Sequence, residues 1–182
     1  MINNIKFKQL TLSLFFVMVV ATSYSQEASK FKFRSVSLDI GYFESLGDND
    51  IESDFFGICF NADVGFSLNN IILSAYFDYG LDVGFLGIYD QSYFGSYLTI
   101  GKEWMLNDWL GVEGHIGAGY ILFNTSVSIN DNKTSGEFGV PLRLKGNIYF
   151  SDHFSLVLNP SINFNTFTSS ILALSIGLQY KI

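Results

Sequence analysis

The sequence predicts an all-β fold, an eight-stranded antiparallel up-and-down transmembrane β-barrel. Three observations carry this. After residue 30, apolar and aromatic side chains alternate with Gly, Ser, Asn and Asp about eight times over. Successive side chains of a strand point to opposite faces, so each such segment has one apolar side and one polar side. The connections between segments alternate in length, and the chain begins with the pattern of an export leader.

In the leader, Lys6 and Lys8 precede an uncharged run over residues 10–21, followed by Ser23, Tyr24, Ser25 and Gln26. This charged, apolar, small-residue order is that of a secretory signal peptide cleaved before Gln26. The run is about a dozen residues, whereas a spanning helix needs roughly 20, which argues against a retained anchor. No Cys follows it to carry a lipid. The expected organisation is a signal peptide over 1–25 and a single barrel domain over 26–182.

The mature chain of about 157 residues is one domain's worth. It keeps 8 basic and 17 acidic side chains, a balance that argues against nucleic acid, whose phosphates need basic patches. Cys59 is the only cysteine, so no intrachain disulfide can form. A small exported domain without disulfides needs another source of stability, and a closed, fully hydrogen-bonded barrel in a bilayer is one. The only two prolines are Pro141 and Pro160, in keeping with a chain that is mostly sheet.

The segments follow in order. Residues 32–43 place Val36, Leu38, Ile40 and Tyr42 on one face and Ser35, Ser37, Asp39 and Gly41 on the other. Residues 55–66 put Phe56, Ile58, Phe60, Ala62, Val64 and Phe66 outward, and residues 71–83 do so with Leu73, Ala75, Phe77, Tyr79 and Leu81. Residues 91–104 carry Phe94, Leu98, Ile100 and Trp104; residues 109–123 carry Leu110, Val112, Ile116, Tyr120 and Leu122. Residues 137–150 carry Phe138, Val140, Leu142, Leu144, Ile148 and Phe150. Residues 154–164 form the seventh segment, its alternation weakening around Pro160. The eighth, from about 171, alternates Leu172, Leu174, Ile176, Leu178, Tyr180 and Ile182 with Ala173, Ser175, Gly177, Gln179 and Lys181.

Residues 67–70, 105–108 and 151–153 read as short turns, and residues 44–54, 85–90, 124–136 and 165–170 as the mostly longer loops between them. Short turns on one rim and longer loops on the other suit a barrel with periplasmic turns and external loops. Phe56 and Phe66 lie ten residues apart on one face, roughly 33 Å of extended chain. At a tilt of about 40° this spans about 25 Å, the height of the apolar band of such barrels. Aromatic residues sort into two belts, as expected at bilayer interfaces. Phe66, Trp104, Trp109, Phe150 and Tyr180 fall near the turn rim, and Tyr42, Phe56, Tyr120 and Phe138 near the loop rim.

In this pattern, and in the final segment Leu174-Ser-Ile-Gly-Leu-Gln-Tyr-Lys-Ile182, the chain resembles the small OmpA/OmpX-like outer-membrane β-barrel proteins. The final segment looks like the terminal strand that the family's assembly machinery recognises, although it ends in Ile182 with Tyr180 two positions earlier, where the family usually ends in an aromatic residue. The resemblance implies location in the outer membrane of the Gram-negative cell envelope and insertion by a barrel-assembly complex, and many members of the family lack enzymatic activity; a monomer with no enzymatic activity and no cofactor is expected.

The inner face is expected to carry Asp39, Asp63, Asp78, Asp82, Glu103, Glu113, His115, Arg143 and Lys145. Eight strands leave an interior that side chains can fill, and charges packed there must be paired or hydrated. A lumenal ionic network of Glu113, Arg143 and Lys145 is expected, with His115 beside it and Asp78 as a further member. Such a network is a structural plug or, alternatively, a gate or ion path; the plug is the favoured reading. His115 with Glu113 would be half of a catalytic triad, but no nucleophile motif accompanies them. The first long loop carries Asp48, Asp50, Glu52 and Asp54. It reads as a solvated acidic loop, with a weak cation bridge to surface glycolipid as the alternative; no metal site is expected. Cys59 points inward as a buried thiol.

Functionally, these features suggest an envelope-anchoring or surface-interaction barrel. The alternatives are a small transport or lipid-handling barrel, and a soluble exported lipocalin-like barrel of inverted polarity, because alternation alone does not say which face is outside.

Overall fold

The computed structural model describes residues 31–46, 56–82, 90–128, 131–166 and 170–182. The leader and most of the first long loop lie outside these residues. The described chain forms eight strands: β1 (Phe31–Leu46), β2 (Phe56–Leu68), β3 (Ile71–Asp82), β4 (Asp90–Asn107), β5 (Leu110–Ser128), β6 (Asp131–Tyr149), β7 (Phe154–Asn165) and β8 (Ser170–Lys181). Each strand pairs with its sequence neighbour, and β8 returns to β1 from Ser35↔Lys181 to Leu46↔Ser170, closing the barrel. Closure pairs every strand on both sides and removes the free edges an open sheet would present.

The three short turns follow from their residues. Asn69 and Asn70 join β2 to β3, and Asn69 takes φ 57°, a left-handed conformation that asparagine tolerates better than most residues. Between β4 and β5 the side-chain oxygen of Asn107 accepts from the Trp109 amide at 3.0 Å. Between β6 and β7, Ser151 Oγ accepts from the amides of His153 (3.4 Å) and Phe154 (3.0 Å).

Two connections differ from the sequence expectation. β4 continues through Met105 to Asn107, with a bulge in its pairing to β5 between those residues. The expected loop over 124–136 is largely strand: the β5–β6 ladder continues through Phe123↔Ser135 and Asn124↔Thr134 to Ser128↔Asp131. Above the apolar band neither face selects for hydrophobic residues, so alternation vanishes while backbone hydrogen bonding persists.

The cylinder is apolar outside and polar inside. Leu38 (66 % exposed) and Leu98 (75 % exposed) stand on the outer wall with Phe60, Leu144 and Ile176, while Asp63, Asp78, Glu113, Arg143 and Lys145 are buried. This is the reverse of the polarity of a soluble lipocalin-like barrel. On the outer wall Trp104, Trp109, Phe150 and Tyr180 are exposed toward the turn end, with Phe66 half-buried edge-on to Phe33 at 5.6 Å. Tyr42, Phe56, Tyr120 and Phe138 are exposed toward the loop end; Tyr42 packs on Phe56 at 6.2 Å, and Tyr120 is the direct rung partner of Phe138.

Candidate functional site: an ionic bore

The polar faces of the strands converge on the barrel axis and stack in tiers. At the turn end Glu103 of β4 is the hub. Arg34 Nη2 lies 2.9 Å from its Oε2, Lys181 Nζ lies 2.9 Å from its Oε1, and the Tyr149 hydroxyl donates to it in a short hydrogen bond. Arg34 also donates to Glu113 Oε1 at 2.8 Å, which links this tier to the next.

Glu113 is buried on β5. Its Oε1 also accepts from Asn147 Nδ2 at 3.0 Å, and its Oε2 meets His115 Nε2 at 3.0 Å. The other ring nitrogen of His115 faces Thr99 Oγ1 at 3.4 Å. An acid, an imidazole and a hydroxyl thus lie in line. Thr99 is buried, however, and its hydroxyl is already engaged by Ser74 (2.7 Å) and Arg143 (3.2 Å).

The middle tier is centred on Arg143 of β6. Its Nη1 lies 2.7 Å from Asp63 Oδ2 on β2, and its guanidinium stacks 3.8 Å from the Tyr76 ring centroid. Lys145 donates to Gln179 Oε1 at 2.8 Å and Ser37 Oγ at 3.4 Å, and sits 3.8 Å from Asp63 Oδ2. Nearer the loop end two carboxyl groups have uncharged hydrogen-bond partners. Asn159 donates to Asp39 at 3.0 Å and Tyr93 donates to Asp78 at 3.0 Å. Asn61, in the amide orientation that satisfies its neighbours, donates to Asp78 (2.9 Å) and accepts from Ser175 (2.8 Å). Toward the loop end Phe43, Cys59, Tyr93, Ile121, Ile171 and Ala173 pack together, with Phe123 against them, and Ser45, Glu137 and Asn163 are buried at the same height as rung partners of Ile171 and Ile121.

Glu113, His115, Arg143 and Lys145, singled out in the sequence, are therefore all buried on the inner face. Their partners differ from the expectation. Glu113 and Lys145 are rung partners, as are His115 and Arg143, yet both cations turn across the bore to Asp63, while Glu113 is held by Arg34 and His115. Asp78 is not an ion-pair member; its hydrogen-bond partners are the neutral Tyr93 and Asn61. The reason is geometric. Long side chains in a narrow bore reach strands that are distant around the sheet, and rung adjacency does not decide their contacts.

Sequence reasoning missed Arg34. Strict alternation from the buried Ser35 places it on the lipid side, but it turns inward. One signal was available: an arginine on the lipid face of a barrel is costly, and Glu103 and Glu113 face inward at the same end. The acidic positions Asp48, Asp50, Glu52 and Asp54 lie outside the described residues. Among the described residues no group of three or more His, Cys, Asp or Glu is placed to hold a metal. His153 is an exposed turn residue whose Nδ1 meets the Lys181 carbonyl at 3.0 Å.

No protein-family model and no curated protein sequence matches the chain. Solved structures do match in shape. Neisserial surface protein A (NspA) aligns over 85 % of this chain and 98 % of its own, with a TM-score of 0.66 and 13 % identity. Ail, the attachment invasion locus protein of Yersinia pestis, aligns over 82 % and 99 %, with a TM-score of 0.53 and 16 % identity. The N-terminal β-barrel domain of Pseudomonas aeruginosa OprF aligns over 80 % and 97 %, with a TM-score of 0.51 and 12 % identity. The chain has the fold shared by these small eight-stranded outer-membrane β-barrels of the OmpA/OmpX type.

Proposed function

We propose that this protein is an integral, monomeric outer-membrane barrel of a Gram-negative envelope. In this reading its bore is a structural plug, and its role is anchoring and surface interaction rather than catalysis. The observation that carries the reading is the polarity of the cylinder, with apolar side chains over most of the outer wall and ion pairs within. An apolar wall of this extent is costly in water and favourable in hydrocarbon. Residues 1–25 would direct export and be cleaved, β8 would serve as the recognition strand for the barrel-assembly machinery, and the aromatic belts would seat the barrel at both bilayer interfaces. The surface role draws on the β5–β6 hairpin, whose paired ladder continues above Tyr120 and Phe138, with Asn124 and Thr134 exposed and hydrogen-bonded at 2.8 Å. Lipid and surface glycolipid are the expected surroundings of this region.

Fractionation tests the reading. The protein should pellet with outer membranes, resist extraction by high salt, and show a heat-modifiable shift on gels. Recovery in the soluble periplasmic fraction would overturn it.

A further inference from the structure

We infer that a notch in the turn rim beside β4 binds the phosphate of a phospholipid headgroup, with Lys102 as the cation that meets it. The inference rests on the transmembrane reading above and assigns a lipid contact to one place on the rim. The notch follows from unequal strand ends. Pairing between β3 and β4 stops at Ile72↔Gly101, so β4 runs on past the Asn69 and Asn70 turn without β3 beside it. Arg34, Ser67, Asn69, Asn70, Lys102 and Glu103 line the cavity of about 220 Å³ left at this step. Pockets for whole drug-sized ligands run to about 300–1,000 Å³, so this one suits a smaller polar group such as a phosphodiester.

Charge selects an anion. Arg34 and Lys181 pair with Glu103, and Arg34 also pairs with Glu113, so these two cations balance the two carboxylates. Lys102 is left over. Among the described residues it has no ion pair, and its Nζ stands 6.0 Å from the centroid of the Trp104 ring. Height selects a lipid. Lys102 is exposed on the outer wall, on the same face of β4 as Ile100 and Trp104. A cation on that face is costly at the bilayer midplane and nearly free at the interface, and Trp104 of the turn-end belt marks the interface. The lysine stem can lie on the apolar wall while the ammonium reaches headgroup level. A phosphodiester at that height meets Lys102 from the lipid side, in a charge-assisted hydrogen bond, and the amides of Asn69 and Asn70 from the rim.

The test uses the full mature chain folded in nonionic detergent and titrated with phosphatidylglycerol or with a phosphate-free digalactosyl lipid of the same chains, read by native mass spectrometry. Wild type should retain one phosphatidylglycerol in preference to the galactolipid. Lys102→Gln should weaken that binding about fivefold, the weight of one cation at an anionic lipid surface. Asn69→Gly, which keeps the left-handed turn and removes the amide, should weaken it about threefold. Lys133→Gln, on the hairpin at the opposite end, should leave it unchanged. Inorganic phosphate in excess should not displace the lipid. Equal retention of the two lipids, or wild-type affinity in both notch variants, would overturn the inference. Displacement by inorganic phosphate would overturn the lipid source and leave a site for a free anion. These results in a chain that pellets with outer membranes would overturn the notch alone, whereas recovery in the soluble periplasmic fraction would overturn the transmembrane reading with it.

Discussion

Replacing Arg143 with Met should produce the largest stability loss available from a single bore substitution. Arg143 is 1 % exposed, pairs with Asp63 at 2.7 Å, donates to Thr99 and Ser74, and stacks on Tyr76. Methionine retains much of the volume, so the cavity contribution is small. What remains is a buried Asp63 carboxylate whose other cation, Lys145, lies 3.8 Å away. Breaking a buried pair from one side costs about 3–5 kcal/mol, and the lost stacking adds about 1–2 kcal/mol. Rearrangement of Lys145 toward Asp63 offsets part of this, leaving a net loss of about 3–4 kcal/mol, or about two to three decades in the folding equilibrium. Urea unfolding in phospholipid vesicles, followed by Trp104 and Trp109 fluorescence, measures it. The double variant Asp63→Asn/Arg143→Met should recover about half the loss, because the stranded charge is gone. A single-variant loss below about 1 kcal/mol, or a double variant no better than the single, would refute the pairing argument.

Other outcomes follow from the same coordinates. Lys145→Met should cost less than Arg143→Met, about 1–3 kcal/mol from its hydrogen bonds to Gln179 and Ser37; an unchanged thermal midpoint in detergent would remove its structural role. Leu144 stands exposed on the outer wall, and Leu144→Arg should cost about 2–4 kcal/mol in a bilayer while leaving solubility of the unfolded chain in urea intact, as folding titrations into vesicles would report. Trp104 and Trp109 lie by the β4–β5 turn, so lipids brominated near the headgroup should quench their fluorescence more than lipids brominated near the chain ends. Gly95→Val should cost about 1–3 kcal/mol, because a Cβ there runs into Tyr97, whose ring stacks on Tyr76 and whose hydroxyl accepts from Asn163; unfolding curves would show the shift.

The strands were legible because two phases, hydrocarbon outside and an ionic bore inside, select opposite residue types at alternate positions. Val36 through Tyr42 and Leu172 through Tyr180 follow this rule and pair along the β1–β8 seam in the structure. Legibility failed where either phase ended. Residues 124–128 and 131–136 belong to paired strands that no alternation marks, and Arg34 broke parity at the turn rim, where a long side chain can curl over the edge to reach Glu103 and Glu113.

By itself, the sequence determined the number of strands, the two faces of most of them and the charged residues of the bore other than Arg34, since these depend only on the two-residue period of an extended chain. The tertiary structure decided which face is outside, that Arg143 and Lys145 both turn to Asp63 rather than to Glu113, and that Phe43, Tyr93 and Ile121 pack together toward the loop end. Those contacts cross the barrel between strands far apart in the chain, and only closure of the sheet sets their distances.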